Sequence, residues 1–330
     1  MGCLPWPMLV PTPSHSQAAP SPSTAGSDAD HFKSYTIKAE NLVAKLIPYG
    51  AHVVVGCDDL KEYLHDSQTN RTFFGAVVGR YANRIKNSTF TIDDNEYHVP
   101  ENENGADTLH GGFTGYDIEH SDSSITFTLL NRDFEKFPGD VVTHATFSVS
   151  TEKTQSNPKG LSQLTAKLVA LSLTEKTPTM LSNHIYWNLN AFKESNVSPG
   201  LHQPQLIGKD IEKTYNLCGT GCTGYGTCFL VDRSSTYASD SMVTVLSAES
   251  SPTGISLDVA TNQAALQIYT CSGQNGSVAT KKSQYGCFVI ETEDWIYFIN
   301  NPEWGHLPYQ VFGPDDGPAV NWATYQFGTI

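Results

Sequence analysis

From Phe32 to the C-terminus the chain alternates apolar and polar residues with a period of two, and hardly anywhere with the period of a helix. Tyr35-Thr36-Ile37-Lys38-Ala39, Ser124 to Leu129 and Leu164 to Leu168 all alternate in this way, and Met242 to Leu246, Ile255 to Val259 and Leu266 to Tyr269 are further strand candidates. Thr89 to Ile92 and Tyr97 to Val99 flank the polar run Asp93-Asp94-Asn95-Glu96, the pattern of a hairpin with a turn at its tip. Only Asp59 to His65 reads as a turn of helix. Strands without interleaved helices argue against a parallel sheet, and the missing fixed-period repeat argues against propellers and solenoids. An all-β domain of antiparallel sheets is expected over residues 32–330.

The first 31 residues are different. Six prolines stand among Ser, Thr and Ala, no Lys or Arg precedes Lys33, and Pro5 and Pro7 interrupt the apolar start. This composition fits a disordered leader or a degraded export signal, with Gln17-Ala18-Ala19 resembling the neighbourhood of a cleavage site. The net charge is −14 with no basic cluster, which disfavours nucleic acid, and no apolar run reaches the ~18 residues of a membrane-spanning helix. Seven cysteines form no complete disulfide framework. Cys218, Cys222 and Cys228 lie close enough for a local disulfide in an exported protein; buried free thiols are the alternative.

Four segments concentrate the reactive side chains. Gly79-Arg80-Tyr81-Ala82-Asn83-Arg84-Ile85 offers two guanidinium groups and an amide to hydroxyls or a carboxylate, unless it is an ordinary surface strand. Leu109-His110-Gly111-Gly112 exposes an imidazole beside flexible backbone. In Leu181 to Leu189, strand alternation sets His184, Tyr186 and Asn188 on one face, suited to a sugar or to a buried core. Cys287 to Asp294 is an apolar strand running into carboxylates, with Glu291 placed where partial desolvation makes it a better base. His110, His184 and Glu291 could also ligate a metal, although no helical His pair or Cys pair supports this.

In this order the four segments resemble the aldose 1-epimerase family, the galactose mutarotases. The likeness extends through Gly115-Tyr116-Asp117, Asn301-Pro302-Glu303-Trp304 and Tyr325-Gln326-Phe327. It implies a β-supersandwich, whole or with shortened or missing strands, and an enzyme that interconverts the α and β anomers of hexoses such as glucose or galactose. By the same resemblance Glu291 is the general base and His184 the general acid. His110 and Arg84 hold hydroxyls and the polarised oxygen, and Asn83 supports Arg84. No cofactor or metal is implied, and the partner is a monosaccharide, with the chain a monomer or weak dimer. Secretion is expected from the acidic surface and the leader, a cytoplasmic location being the alternative.

Three departures bear on this expectation. Gly226 stands where the family carries a sugar-binding Asp, and the change favours the rival reading of a non-catalytic carbohydrate-binding relative. Residues are missing between His52 and Val53, after Asp117, and between Val197 and Ile207. Glu293 replaces the more usual Gln beside the base. Glycoside hydrolysis is a lesser alternative, because the implied site pairs one Glu with a His rather than two carboxylates.

Overall fold

The computed structural model describes residues 30–55, 59–69, 73–111, 117–132, 134–155, 157–189, 211, 223–232, 241–274, 284–305 and 307–330. Strands dominate it. A seven-stranded antiparallel sheet runs in the spatial order Val243–Ser250, Ile255–Thr261, Ala319–Thr329, Leu161–Ser172, Val141–Glu152, Ser124–Asn131, Asp117–His120. Its central strands bury every second residue, so Ala145, Phe147, Leu164, Ala166, Leu168 and Tyr325 form one apolar face. Burial of each large side chain there contributes about 1.5–3 kcal/mol.

A four-stranded antiparallel sheet packs on that face, in the order Tyr186–Trp187, Phe288–Glu293, Ala265–Tyr269, Gly226–Leu230. Alternation divides its residues. Leu266, Ile268, Phe288 and Ile290 join the core shared with the large sheet. The odd-numbered Gln267, Val289, Glu291 and Glu293 therefore face the other way. Covering that second face are short ribbons, Val77–Val78 with Ser182–Asn183 and Arg84–Ile85 with Thr108–Leu109, held by a second apolar cluster that includes Phe73, Val78, Tyr81 and Ile85. The candidate chemistry lies between this cover and the four-stranded sheet.

The hairpin forms as expected, with Thr89–Ile92 paired to Asn95–His98 and a two-residue turn at Asp93-Asp94. Both turn residues have positive φ, 48° and 65°, as the twist of a tight hairpin requires. The helical segment lies further along than the sequence suggested, at Glu62–Thr69. Leu181 to Leu189 is not one alternating strand. Ser182–Asn183 pairs with Val77–Val78, the chain then changes partner, and Tyr186–Trp187 pairs with Phe288 and Val289. Cys271 and Cys287 form a disulfide across the ends of the hairpin Ala265–Tyr269/Phe288–Glu293, while Cys228 is a buried free thiol. The local pairing considered for Cys218 and Cys222 lies outside the described residues, as do the leader (1–29) and the segment between Val197 and Ile207.

Candidate active site

Glu291 occupies the inner row of the four-stranded sheet, in register with Gln267 on the neighbouring strand. It is 3% exposed, and its Oε2 accepts no hydrogen bond from the described residues. Two imidazoles flank the carboxyl. His184 Nε2 lies 3.6 Å from Oε1, and His110 Nε2 lies 4.0 Å from Oε2. The two rings stand 5.2 Å apart at 77°, and Phe73 packs its ring edge-on against both.

Local backbone fixes each imidazole. His184 sits where the chain changes strand partner, its N–H donating to Ala76 O and its carbonyl accepting from Gly75 N–H. Its Nδ1 faces the carbonyl of Phe73 at 3.1 Å. A carbonyl only accepts, so Nδ1 carries the proton and Nε2 presents a lone pair or, when charged, a second proton. His110 follows the ribbon strand Thr108–Leu109 with φ +47°, opposite Asn83 with φ +57°. The Asn83 backbone N–H donates to His110 Nδ1 at 3.1 Å, and the His110 N–H donates to Asn83 O at 3.0 Å. Nδ1 of His110 is thus an acceptor, and the neutral ring carries its proton on Nε2, aimed at Glu291. A Cβ at Gly111 would lie 2.9 Å from Arg80 N, so only glycine lets the chain turn this tightly behind His110.

Arg84 forms the rim. Its side chain is 32% exposed, against 4% for Glu291. Nε and Nη2 donate to the two carboxylate oxygens of Glu103, both at 2.6 Å, and Nη1 donates to Asn83 Oδ1 at 3.2 Å. Asn83 Nδ2 donates in turn to Glu293 Oε1 at 2.8 Å. All five residues expected from the sequence, Glu291, His184, His110, Arg84 and Asn83, therefore converge. Arg80 does not join them. It is buried on the far side, donating to Pro138 O, Thr177 Oγ1 and Asn131 Oδ1.

Burial governs the protonation of the site. It lifts Glu291 well above the usual carboxylate range, with neighbouring Glu293 adding to the rise and Arg84 opposing it. His184 falls to about 4, chiefly through burial, although its bond to Phe73 pulls the other way. His110 falls well below its ordinary value through burial, then through His184 and Arg84. A proton shared among the three groups therefore favours Glu291 over either imidazole. The ligand atoms of His110, His184 and Glu291 lie within 4.8 Å of one another, close enough to hold a metal ion. The His110 tautomer opposes that use, because a metal at Nε2 would have to displace its proton while Nδ1 still accepts from Asn83.

Gln267, Phe73 and Glu103 were not picked out by the sequence. Gln267 was the detectable one, the lone polar residue in the strand Ala-Leu-Gln-Ile-Tyr. Gly226 is in register with Tyr269, on the same side of the sheet as Glu291, and adds no side chain there.

An antiparallel sandwich that buries a carboxylate between two imidazoles places the protein in the galactose mutarotase-like class. Solved structures agree on the fold. A GalM/aldose epimerase homologue from C. elegans superposes with a TM-score of 0.68 at 21% identity, covering 90% of this chain and 100% of that one. Galactose 1-epimerase from Lactobacillus acidophilus NCFM gives 0.62 at 16%, covering 90% and 94%. The family model for aldose 1-epimerase matches residues 33–310. A protein of Arthroderma benhamiae named "Probable aldose 1-epimerase" is 42% identical, covering 93% of this chain and 88% of its own length. Galactose mutarotase of Sus scrofa is 28% identical over 83% and 82%. The chain belongs to the aldose 1-epimerase family. The Arthroderma alignment runs to 389 positions against the 330 residues of this chain, so tens of the relative's residues face gaps.

Proposed function

We propose that this protein catalyses the interconversion of α and β anomers of aldohexoses, with Glu291 as general base and His184 as general acid. The observation that carries the assignment is the buried pair itself, a carboxyl oxygen 3.6 Å from an imidazole nitrogen whose other nitrogen is bound to a carbonyl. Transfer of the resident proton from Glu291 to His184 makes carboxylate and imidazolium together, with no change in net charge.

From that state the anomeric hydroxyl gives its proton to Glu291 while His184 Nε2 protonates the ring oxygen. The C1–O5 bond breaks and C1 becomes the aldehyde carbon. Rotation about C1–C2 presents the other carbonyl face. The freed C5 hydroxyl then attacks, returning its proton to His184, and Glu291 protonates the new anomeric oxygen. His110, as a fixed Nε2–H donor, and Arg84 at the rim hold sugar oxygens. Positioned acids and bases contribute about 10²–10⁴ each, enough for a reaction already easy in water.

Polarimetry of freshly dissolved α-D-galactose and α-D-glucose tests this. The wild type speeds the approach to anomeric equilibrium, and Glu291→Gln, which keeps the shape without the base, gives a rate near that of buffer. A cooperatively folded wild type at the buffer rate for both sugars would sink the assignment. The convergence of all five expected residues favours this enzyme over the non-catalytic binder that Gly226 suggested.

The Cys271–Cys287 disulfide supports an oxidising compartment and hence secretion. Peptide mapping of protein recovered from its native source without reductant recovers the two cysteines linked; free thiols there would count against export. A monomer or weak dimer remains our expectation, readable by sedimentation.

A further inference from the structure

Glu293 is a second carboxyl on the same face of the same strand as Glu291, and it is 0% exposed. Two carboxylates buried on one face do not both carry charge without cost, and each raises the proton affinity of the other. Glu293 Oε1 accepts from Asn83 Nδ2 at 2.8 Å, and the same amide's oxygen accepts from Arg84 Nη1 at 3.2 Å. Oε1 accepts whether Glu293 is ionised or carries its proton on the unpartnered Oε2, so it turns the amide nitrogen of Asn83 toward itself and the amide oxygen toward Arg84.

We propose that Glu293 is a positioning residue for the anomer interconversion, orienting Arg84 through the Asn83 amide and setting by its own charge the pH at which Glu291 becomes a base. This rests on the reading of Glu291 as the base. The charged and titratable groups around Glu293 are few. Glu291 lies on its own strand and Asp294 just past its end, Tyr81 and Arg84 belong to the segment covering it, and Cys228 comes from Gly226–Leu230. Its strand neighbour on the hairpin side is Ala265, with Gln267 beside it, and neither titrates. Burial lifts Glu293 to about 8, with the Asn83 bond and Arg84 opposing and Asp294 adding to the rise. Tyr81 and Cys228 are both held neutral by burial, so Arg84 and the three acidic groups carry the balance.

The pH profile of kcat/KM, followed by polarimetry on α-D-galactose, reads both effects. In E293Q the amide oxygen still accepts from Asn83, so KM stays within about twofold. With the second charge gone, the acid limb moves to lower pH by roughly half a unit to two units. Glu293→Leu also removes the shorter acceptor, leaving Asn83 Nδ2 only the 3.4 Å contact to Gln267 Oε1, and KM then rises about three- to tenfold together with the same shift. An E293Q profile that superimposes on the wild type, or an unchanged KM in Glu293→Leu, overturns the proposal. Titration of ¹³C-labelled glutamate carboxyls in the unsubstituted protein decides the matter if either variant fails to fold. Two buried carboxyls titrating in coupled steps support the proposal, and one isolated carboxyl in the ordinary range overturns it. A wild type without mutarotase activity refutes the base assignment instead, and the carboxyl titration keeps the two failures apart.

Discussion

Arg84 reaches the pocket with its guanidinium already committed along two edges, one to Glu103 and one to Asn83. A bidentate carboxylate fixes both the position and the plane of that fork, which a single contact does not. By fixing Arg84, Glu103 is expected to affect binding although it lies outside the buried row. In Glu103→Ala the guanidinium keeps its charge and loses its orientation, and KM should rise about three- to tenfold with kcat changed less, as initial-rate polarimetry would show. Unfolding stability should fall by no more than about 1 kcal/mol, because the pair is partly exposed and solvent screens it. An unchanged KM would remove Glu103 from the site. At this scale the sequence was informative where chemistry is rare, at Glu291, His184 and His110, and misleading where residue type alone was used. Arg80 and Arg84 look alike in the sequence, but the first is bound to Pro138, Thr177 and Asn131 in the interior and the second stands at the rim.

The elements deliver these side chains through short, abrupt pieces of chain. The ribbon Arg84–Ile85/Thr108–Leu109 ends in two residues of positive φ and then in Gly111, whose missing side chain allows contact with the backbone of Gly79 and Arg80. Gly111→Ala would put a methyl group 2.9 Å from Arg80 N, and backbone cannot give way as a flexible side chain can. A loss of about 1–3 kcal/mol in chemical denaturation is expected, with a larger proportional loss of activity than of stability because His110 moves with the strained turn. Wild-type activity in this variant would show that the turn does not place the imidazole. The strand Phe288–Glu293 was legible because both faces are buried and alternation sends Ile290 one way and Glu291 the other. Leu181 to Leu189 was not, because no Gly or Pro marks the change of partner beyond Asn183. The switch is set by the competing edges of Val77–Val78 and Phe288–Val289, which are distant in sequence.

For the molecule as a whole, burying this much titratable chemistry makes stability depend on pH in both directions. His52 and His184 are both held to about 4 by burial. Below about pH 6.5 the unfolded chain takes up protons that these native imidazoles refuse, so acid favours unfolding progressively down to about 4. Glu293 behaves oppositely. The native protein keeps its proton up to about 8, whereas the unfolded chain releases it near the ordinary 4.5, so rising pH favours unfolding across that window. Glu291 acts in the same direction. Between about 4.5 and 6.5 the imidazoles, with His110 among them, outnumber the carboxyls, and above that range the carboxyls act alone. Denaturation midpoints should therefore peak near pH 6.5 and decline on either side. A midpoint still climbing towards pH 8 would contradict the buried-carboxyl assignment.

The short distance between Glu291 and His184 also bears on how the catalyst is reset. Ring opening moves the anomeric hydroxyl proton to the carboxyl and the imidazole proton to the ring oxygen; closure on the opposite face returns the first to the anomeric oxygen and the second to the imidazole. Each turnover thus ends with the same inventory it began with, whichever anomer entered. A pair whose two proton exchanges cancel over each cycle has no need of buffer to recharge it, and the same two groups serve both directions.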